Sequence, residues 1–353
     1  MAFLQFNDIG VSAISACVPK HVVDNYHYGL DILTEEEVKS IVNKIGIQKR
    51  RFAEEGVCAS DLCYAAAERL IEDNGIRRDE IDLLVFVSHS ADYHMPATAI
   101  TLQHRLRLSS TTIAFDLSFG CSGFLNGLSI VYSLMERQNL RKGLLMVGET
   151  CSRLFSQKDR GTAFLFGDGG AAALIERDPK YGVSHFSLNN DGGKGNYIMA
   201  HAGGYRNRTT LETIKEKVVD ERGNIRSDEQ GFMNGMNVFS FAIDEVPKDI
   251  KQLANNAKIG LADLDYYLFH QANGFINDFI ARKLKLDTKK IPSNISEFGN
   301  TSSVSIPLLM VSEMKDKMIG EKRLLLSAFG VGMAWGCAVM SFVDCNISEL
   351  VEL

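Results

Sequence analysis

Three side chains far apart in the sequence carry the chemistry expected of this chain: Cys121, His270 and Asn300. Cys121 follows Gly120 after the strand-like TTIAFDLS and opens an apolar run that reads as a helix. A thiol at a helix N-terminus faces the positive end of the dipole, which favours its thiolate. The unpaired backbone N–H groups there can hold an oxyanion. Strand, turn and helix together predict a nucleophile presented as on an elbow, with Ser122 and Gly123 small enough for close approach. A small core residue at a tight turn fits the same pattern. His270 ends the strand-like LDYYLFH. Strand ends in α/β sheets collect ligand-facing groups, although a structural histidine fits there too. Asn300 lies in the turn FGNTSS and donates hydrogen bonds without ionising; it also suits a helix N-cap. A nucleophile with two neutral donors suits chemistry on a thioester in which an enolate must be stabilised. The three lie too far apart for a local metal motif, and no metal is expected.

The other six cysteines, at 17, 58, 63, 151, 337 and 345, read as packing thiols, with Cys151 after GET at a strand end the only other one of interest. No CxxC pair occurs, so neither a zinc ribbon nor a disulfide framework is predicted. The pieces GDGG, DGGKG and AFGVG match no phosphate-loop pattern and read as tight turns.

A weak internal repeat supplies the elements that must position the three residues. DEIDLLVFVSHSAD (79–92) is echoed by ADLDYYLFHQAN (262–273), each after an amphipathic helical run. TTIAFDLSFGCSGFLNGL (111–128) is echoed by KIPSNISEFGNTSSVSIPLL (290–309), each an extended piece, a Gly turn and an apolar helix. KGLLMVGE (142–149) answers KRLLLSAFG (322–330), and GTAFLFGDGGAAALIE (161–176) answers GMAWGCAVMSFVD (332–344). The order is the same in both series. Two similar α/β halves are expected, 1–178 and 179–353, each a mixed sheet flanked by helices. Helices 121–137 and 301–315 would form a shared central pair, Pro307 marking a kink or a late first turn. The end of the strand before His270 would then lie near both central helix N-termini, bringing it close to Cys121 and Asn300.

The 353 residues are 45% hydrophobic and 23% charged, with a net charge of −6. This is ordinary globular composition and argues against general nucleic-acid binding. The N-terminus, MAFLQFNDIG, lacks signal-peptide character, and no apolar run is long enough to span a membrane. A cytoplasmic setting with reduced thiols is expected.

The motifs FGCSGF around Cys121, HQAN at 270–273, FGNTSSVSIP at 298–307 and FGVGMAWG at 329–336 resemble the 3-oxoacyl-[acyl-carrier-protein] synthase III family, as do DRGTAFLFGDGGAAALI at 159–175 and GIQKRR at 46–51. The resemblance spans nearly the whole chain. It implies a thiolase-like five-layer αβαβα fold of two duplicated halves, and a homodimer. It implies that Cys121 accepts an acyl group from an acyl-CoA or acyl-ACP thioester (ACP, acyl carrier protein), with no further cofactor. His270 and Asn300 would hold a malonyl thioester as it decarboxylates for a Claisen condensation. The backbone N–H groups of Cys121 and Val331 would form the oxyanion hole.

Departures from the family bear on the substrate. The positions that flank the CoA adenine with Trp and Arg hold Ser40 and Lys44, while Arg160 of DRGT keeps another CoA contact. Gly274 and Phe275 follow HQAN where an Arg for docking the carrier protein is common, and Met95 stands where a Phe often reaches the partner's acyl pocket. The charged run 212–233 reads as a solvated loop or a border of the entrance. A specialised synthase with an unusual acyl-CoA or a carrier-protein donor is thus expected. Acyl transfer to an alcohol or amine, and a non-catalytic subunit of a heterodimer, are the alternatives.

Overall fold

Strands in this chain are apolar on both faces, so both faces of the sheets must be covered by helices. The computed structural model describes residues 2–137 and 139–353. The strands that build its two main sheets are β1 (Ala2–Asn7), β2 (Ile9–Val18), β3 (Ile81–Val87), β4 (Ile113–Leu117), β5 (Lys142–Glu149), β6 (Gly169–Arg177), β7 (Val183–Asn190), β8 (Tyr266–Phe269), β9 (Glu321–Gly330), β10 (Ala334–Val343), β11 (Asn346–Ile347) and β12 (Val351–Glu352). The first sheet has seven strands, in the order β11–β2–β6–β5–β3–β4, with β12 also on β2; the second has five, in the order β1–β7–β10–β9–β8.

The internal repeat is visible in the pairing. In the first sheet β2 runs antiparallel to β6, β6 antiparallel to β5, and β5 parallel to β3. In the second, β7 runs antiparallel to β10, β10 antiparallel to β9, and β9 parallel to β8. Order and direction are the same, strand for strand. The ends of the chain cross over. The N-terminal β1 completes the second sheet beside β7, and the C-terminal β11 and β12 join the first beside β2. Neither 1–178 nor 179–353 therefore completes its sheet alone.

The major helices are α1 (Glu35–Ile45), α2 (Ala59–Asp73), α3 (Thr98–Arg105), α4 (Gly123–Arg137), α5 (Gly235–Ala257), α6 (Gly274–Leu284) and α7 (Ser305–Glu313). One apolar cluster joins α4 and α7 to inward side chains of both sheets, such as Val85 and Val147 from the first and Leu324 and Met340 from the second. A second packs α2 and α3 on the outer face of the first sheet, and a third packs α5 and α6 on the outer face of the second. These are the five layers αβαβα. The central helices are apolar nearly all round because they face a sheet on each side. Pro307 is the third residue of α7, after the 3₁₀ turn Ser302–Val304. Its missing N–H falls among donors that have no intrahelical partner, so it marks a late first turn.

One expected correspondence fails. Residues 290–300 do not form a counterpart to β4. They contain the short helix Ile295–Phe298 and touch a sheet-like partner only through the bridge Phe166–Asn300. Pro292 lacks an N–H for a ladder, and the Asn300 backbone bonds Leu165 and Gly167 instead, at 2.9 and 3.1 Å. That local pairing fixes the position of Asn300.

Candidate active site

Two turns at corresponding ends of the two halves meet at one cavity of about 130 Å³, lined by Cys121, His270, Asn300, Ser302 and Val331 among others. Cys121 does not open α4. The turn closes from Gly123 N–H to Gly120 C=O at 2.6 Å, and the helix ladder starts with Asn126 N–H on Ser122 C=O, so Cys121 precedes the N-cap by one residue. Gly330, at the end of β9, lies against it. A β-carbon there would stand 2.5 Å from Cys121 Cβ and 2.8 Å from Sγ, so only glycine fits.

The thiol is buried, 8% exposed. Burial pushes its pKa up to about 11; the Ser302 hydroxyl opposes this, the Glu149 carboxylate adds to it, and the backbone N–H groups of Cys121 and Val331 oppose it. The expectation that the helix end alone would favour the thiolate is therefore corrected. In a low-dielectric site desolvation of the charge outweighs the dipole. The N–H groups of Cys121 and Val331 nevertheless both bear on the sulfur.

His270 leaves β8 with its backbone N–H on Ser327 C=O at 2.8 Å. Its ring packs edge-on to Phe329, and Nδ1 lies 2.6 Å from Ser305 Oγ at the start of α7. Burial lowers its pKa to about 3, so the ring is neutral. Where Ser305 donates to Nδ1, the proton sits on Nε2. Asn300 Oδ1 accepts from Ser302 N–H at 2.9 Å, so the carbonyl end of the amide is occupied and the Nδ2 donor is left for the cavity. It is not an N-cap of α7, which starts five residues later. Gly299 makes the turn, with φ of +65° and Leu165 C=O and Arg50 Cγ where a side chain would go. Ser302 itself adopts φ of +53° and places Oγ 3.7 Å from Cys121 Sγ.

Several residues of this site were not singled out from the sequence. Glu149 ends β5, wholly buried, and lines the same cavity. It accepts from His89 N–H at 3.2 Å and from Ser90 Oγ at 3.0 Å, and burial raises its pKa to about 7. An acid closing the apolar run KGLLMVGE was the available signal. His89 follows β3, the strand that corresponds to β8, so the repeat that drew attention to His270 pointed to it as well. Arg50 is fully buried, donating to Asn25 Oδ1 at 2.8 Å and Phe166 C=O at 3.1 Å, and so supports the bridge between Phe166 and Asn300.

Comparison with known proteins decides the lineage. A β-ketoacyl-[acyl-carrier-protein] synthase III of Streptococcus pneumoniae is 34% identical over 94% of this chain and 98% of its own. The chain belongs to the 3-oxoacyl-[acyl-carrier-protein] synthase III family. The family's sequence models match residues 115–192, and residues 254–342 for the C-terminal part. The structure of a 3-oxoacyl-(acyl-carrier protein) synthase from Burkholderia xenovorans LB400 superposes with a TM-score of 0.93 at 33% identity, covering 100% of this chain and 99% of that one. The synthase III of Pseudomonas aeruginosa PAO1 superposes at 0.81 and 26% identity, covering 95% and 98%. The fold is thus the thiolase fold, and the chain is an acyltransferase-type condensing enzyme.

The residues expected to bind the substrate scatter. Arg160 lines an open cleft of about 570 Å³ with Ser40, Glu36, Glu37, Arg222 and Asn224. Lys44 does not line it, because it continues the same face of α1 one turn beyond Ser40. Arg222 and Asn224 show that the charged run 212–233 borders this cleft. Met95 is 75% exposed and lines neither the catalytic cavity nor this cleft. Phe275 stacks on Phe239, which does line the catalytic cavity, at 5.5 Å between ring centres. Among the described residues no cluster of three or more His, Cys, Asp or Glu stands ready to hold a metal, and no helix is long and apolar enough to cross a membrane.

Proposed function

We propose that Cys121, His270 and Asn300 perform a two-stage decarboxylative condensation. The thiol of Cys121 attacks the carbonyl of an acyl thioester. The oxyanion formed is held by the N–H groups of Cys121 and Val331, and the donor thiol leaves with the proton. The carbonyl of a malonyl thioester, carried by ACP, then lies between His270 Nε2–H and Asn300 Nδ2–H. Carbon dioxide departs, its bonding pair passing into an enolate that these neutral donors stabilise. The enolate carbon attacks the acyl-Cys121 carbonyl, and the sulfur is released and reprotonated. Loss of CO₂ supplies the driving force, so no strong base and no cofactor is needed. The observation that carries this reading is the convergence of the three side chains on one cavity, with His270 held neutral.

The lining of the cleft at Arg160 has no aromatic–cation pair for an adenine, which supports a carrier-protein donor over CoA thioesters in general, with an unusual acyl-CoA as the other donor of this reading. A homodimer belongs to the same reading: β4 ends the seven-stranded sheet, with Ile113 47% exposed. The seven free thiols suit a cytoplasmic setting. Intact-mass spectrometry with acyl thioesters tests the scheme. An acyl adduct should form on the native enzyme and vanish in Cys121→Ala. His270→Ala and Asn300→Ala should keep the adduct and lose CO₂ release from malonyl thioester. An adduct surviving Cys121→Ala, or unchanged CO₂ release in both other variants, overturns it.

A further inference from the structure

We propose that His89 is a specificity-determining residue that selects acyl donors carrying a hydroxyl group within the first few carbons of the chain. This rests on the acyl-Cys121 reading above and names the substrate class of that site. His89 lines the cavity of Cys121 and also an adjoining chamber of about 190 Å³, which it shares with Leu154, Phe155, Ile198, Val331 and Glu229, the last already accepting from Thr213 Oγ1 at 2.8 Å. It stands next to the nucleophile: a β-carbon on Gly120 would lie 3.1 Å from its Nδ1. An acyl group on Cys121 that extends into this chamber passes the imidazole, in surroundings otherwise mostly apolar.

The hydrogen-bonding state of the ring sets what it can read. Burial lowers the pKa of the ring below the ordinary histidine range, so the ring is neutral, with one nitrogen donating and the other accepting. A neutral imidazole with one nitrogen donating presents the other as an acceptor. No side chain among the described residues bonds that ring. Glu149 is engaged by the His89 backbone N–H and by Ser88 and Ser90, so it does not compete for the imidazole. A neutral imidazole without a side-chain partner favours a ligand group that can hydrogen-bond with it. A hydroxyl provides one, whereas a saturated chain would strip water from the nitrogen and give nothing back.

The test offers the enzyme an equimolar mixture of butyryl- and racemic 3-hydroxybutyryl-pantetheine and compares the two Cys121 adducts by intact mass. Pantetheine carries the arm common to CoA and carrier protein. The native enzyme should favour the hydroxybutyryl adduct by about three- to tenfold, the worth of one hydrogen bond. His89→Gln, whose amide can still donate to or accept from a hydroxyl, should retain the preference. His89→Leu should abolish it. Both variants keep the backbone N–H that holds Glu149, and taking a ratio within each variant cancels any general loss of rate. Equal labelling or a butyryl preference in the native enzyme overturns the proposal, as does a preference that survives His89→Leu, while acyl transfer to Cys121 stands. Absence of any adduct, with acetyl-pantetheine included, overturns the acyl-Cys121 reading and this proposal with it.

Discussion

Gly330 and Cys121 belong to opposite halves of the chain, and the β-carbon that Gly330 lacks would occupy the place of the thiol, 2.5 Å from Cys121 Cβ. The nucleophile is thus seated by a contact across the repeat. Gly330→Ala should displace the sulfur from the N–H groups of Cys121 and Val331. Overpacking of this kind costs about 1–3 kcal/mol of stability. Acylation should fall by about a hundredfold or more, since loss of one oxyanion donor alone costs that much. Acyl labelling beside a denaturation midpoint checks both. Labelling at the native rate would show that the contact does not seat the thiol.

Ser305 acts through His270. With Ser305→Ala, Nδ1 loses its partner at 2.6 Å and the Nε2–H tautomer loses its support. Decarboxylation of malonyl thioester should fall by about ten- to a hundredfold, the scale of a misplaced general-acid donor. Acyl labelling of Cys121 should persist. The comparison of labelling with CO₂ release separates this positioning role from a general loss of fold.

Alkylation of Cys121 by iodoacetamide should rise nearly tenfold per pH unit from neutrality toward about pH 11, where the thiol titrates. Glu149→Gln removes a negative charge that disfavours the thiolate. Alkylation of that variant at pH 8 should be faster than in the native enzyme by about three- to tenfold. An equal or slower rate would show that Glu149 does not act on the thiol.

Glu149 also predicts a pH dependence of stability. Its folded pKa of about 7 lies above the ordinary glutamate value of 4.5, because burial disfavours the carboxylate. The stability contributed by the protonated, buried carboxyl is fully present below pH 4.5 and is lost as pH rises through 7. The difference amounts to about 3 kcal/mol at most. Urea midpoints at pH 5 and pH 8 should therefore converge in Glu149→Gln relative to the native enzyme. Identical pH profiles for the two proteins would contradict the raised value.

Arg50 is buried with no carboxylate on its guanidinium among the described residues, held by Asn25, Phe166 C=O and the faces of Tyr28 and Phe52. Arg50→Ala leaves those groups unpaired and opens space beneath the Gly299–Asn300 turn. A loss of about 3 kcal/mol is expected. CO₂ release should fall more than acylation does, because the turn carries Asn300 and not the thiol. Calorimetry with the two partial reactions checks this.

Much of this protein was legible in the sequence. The duplicated halves follow from four echoed segments in one order, which became corresponding strands and helices in the two halves except over residues 290–300. Cys121, His270 and Asn300 stood out because a thiol after a Gly turn, a histidine at a strand end and an amide in a Gly turn are each placed where a site forms. The resemblance to the family named their chemistry. Local sequence does not contain the fields and contacts made by residues far away along the chain. That the thiol is raised by burial and by Glu149, that Gly330 leaves room for it, that Ser305 meets His270 Nδ1, and that His89 faces the neighbouring chamber all depend on side chains brought together from both halves. Desolvation and packing are properties of the assembled interior, so only the tertiary structure decided them.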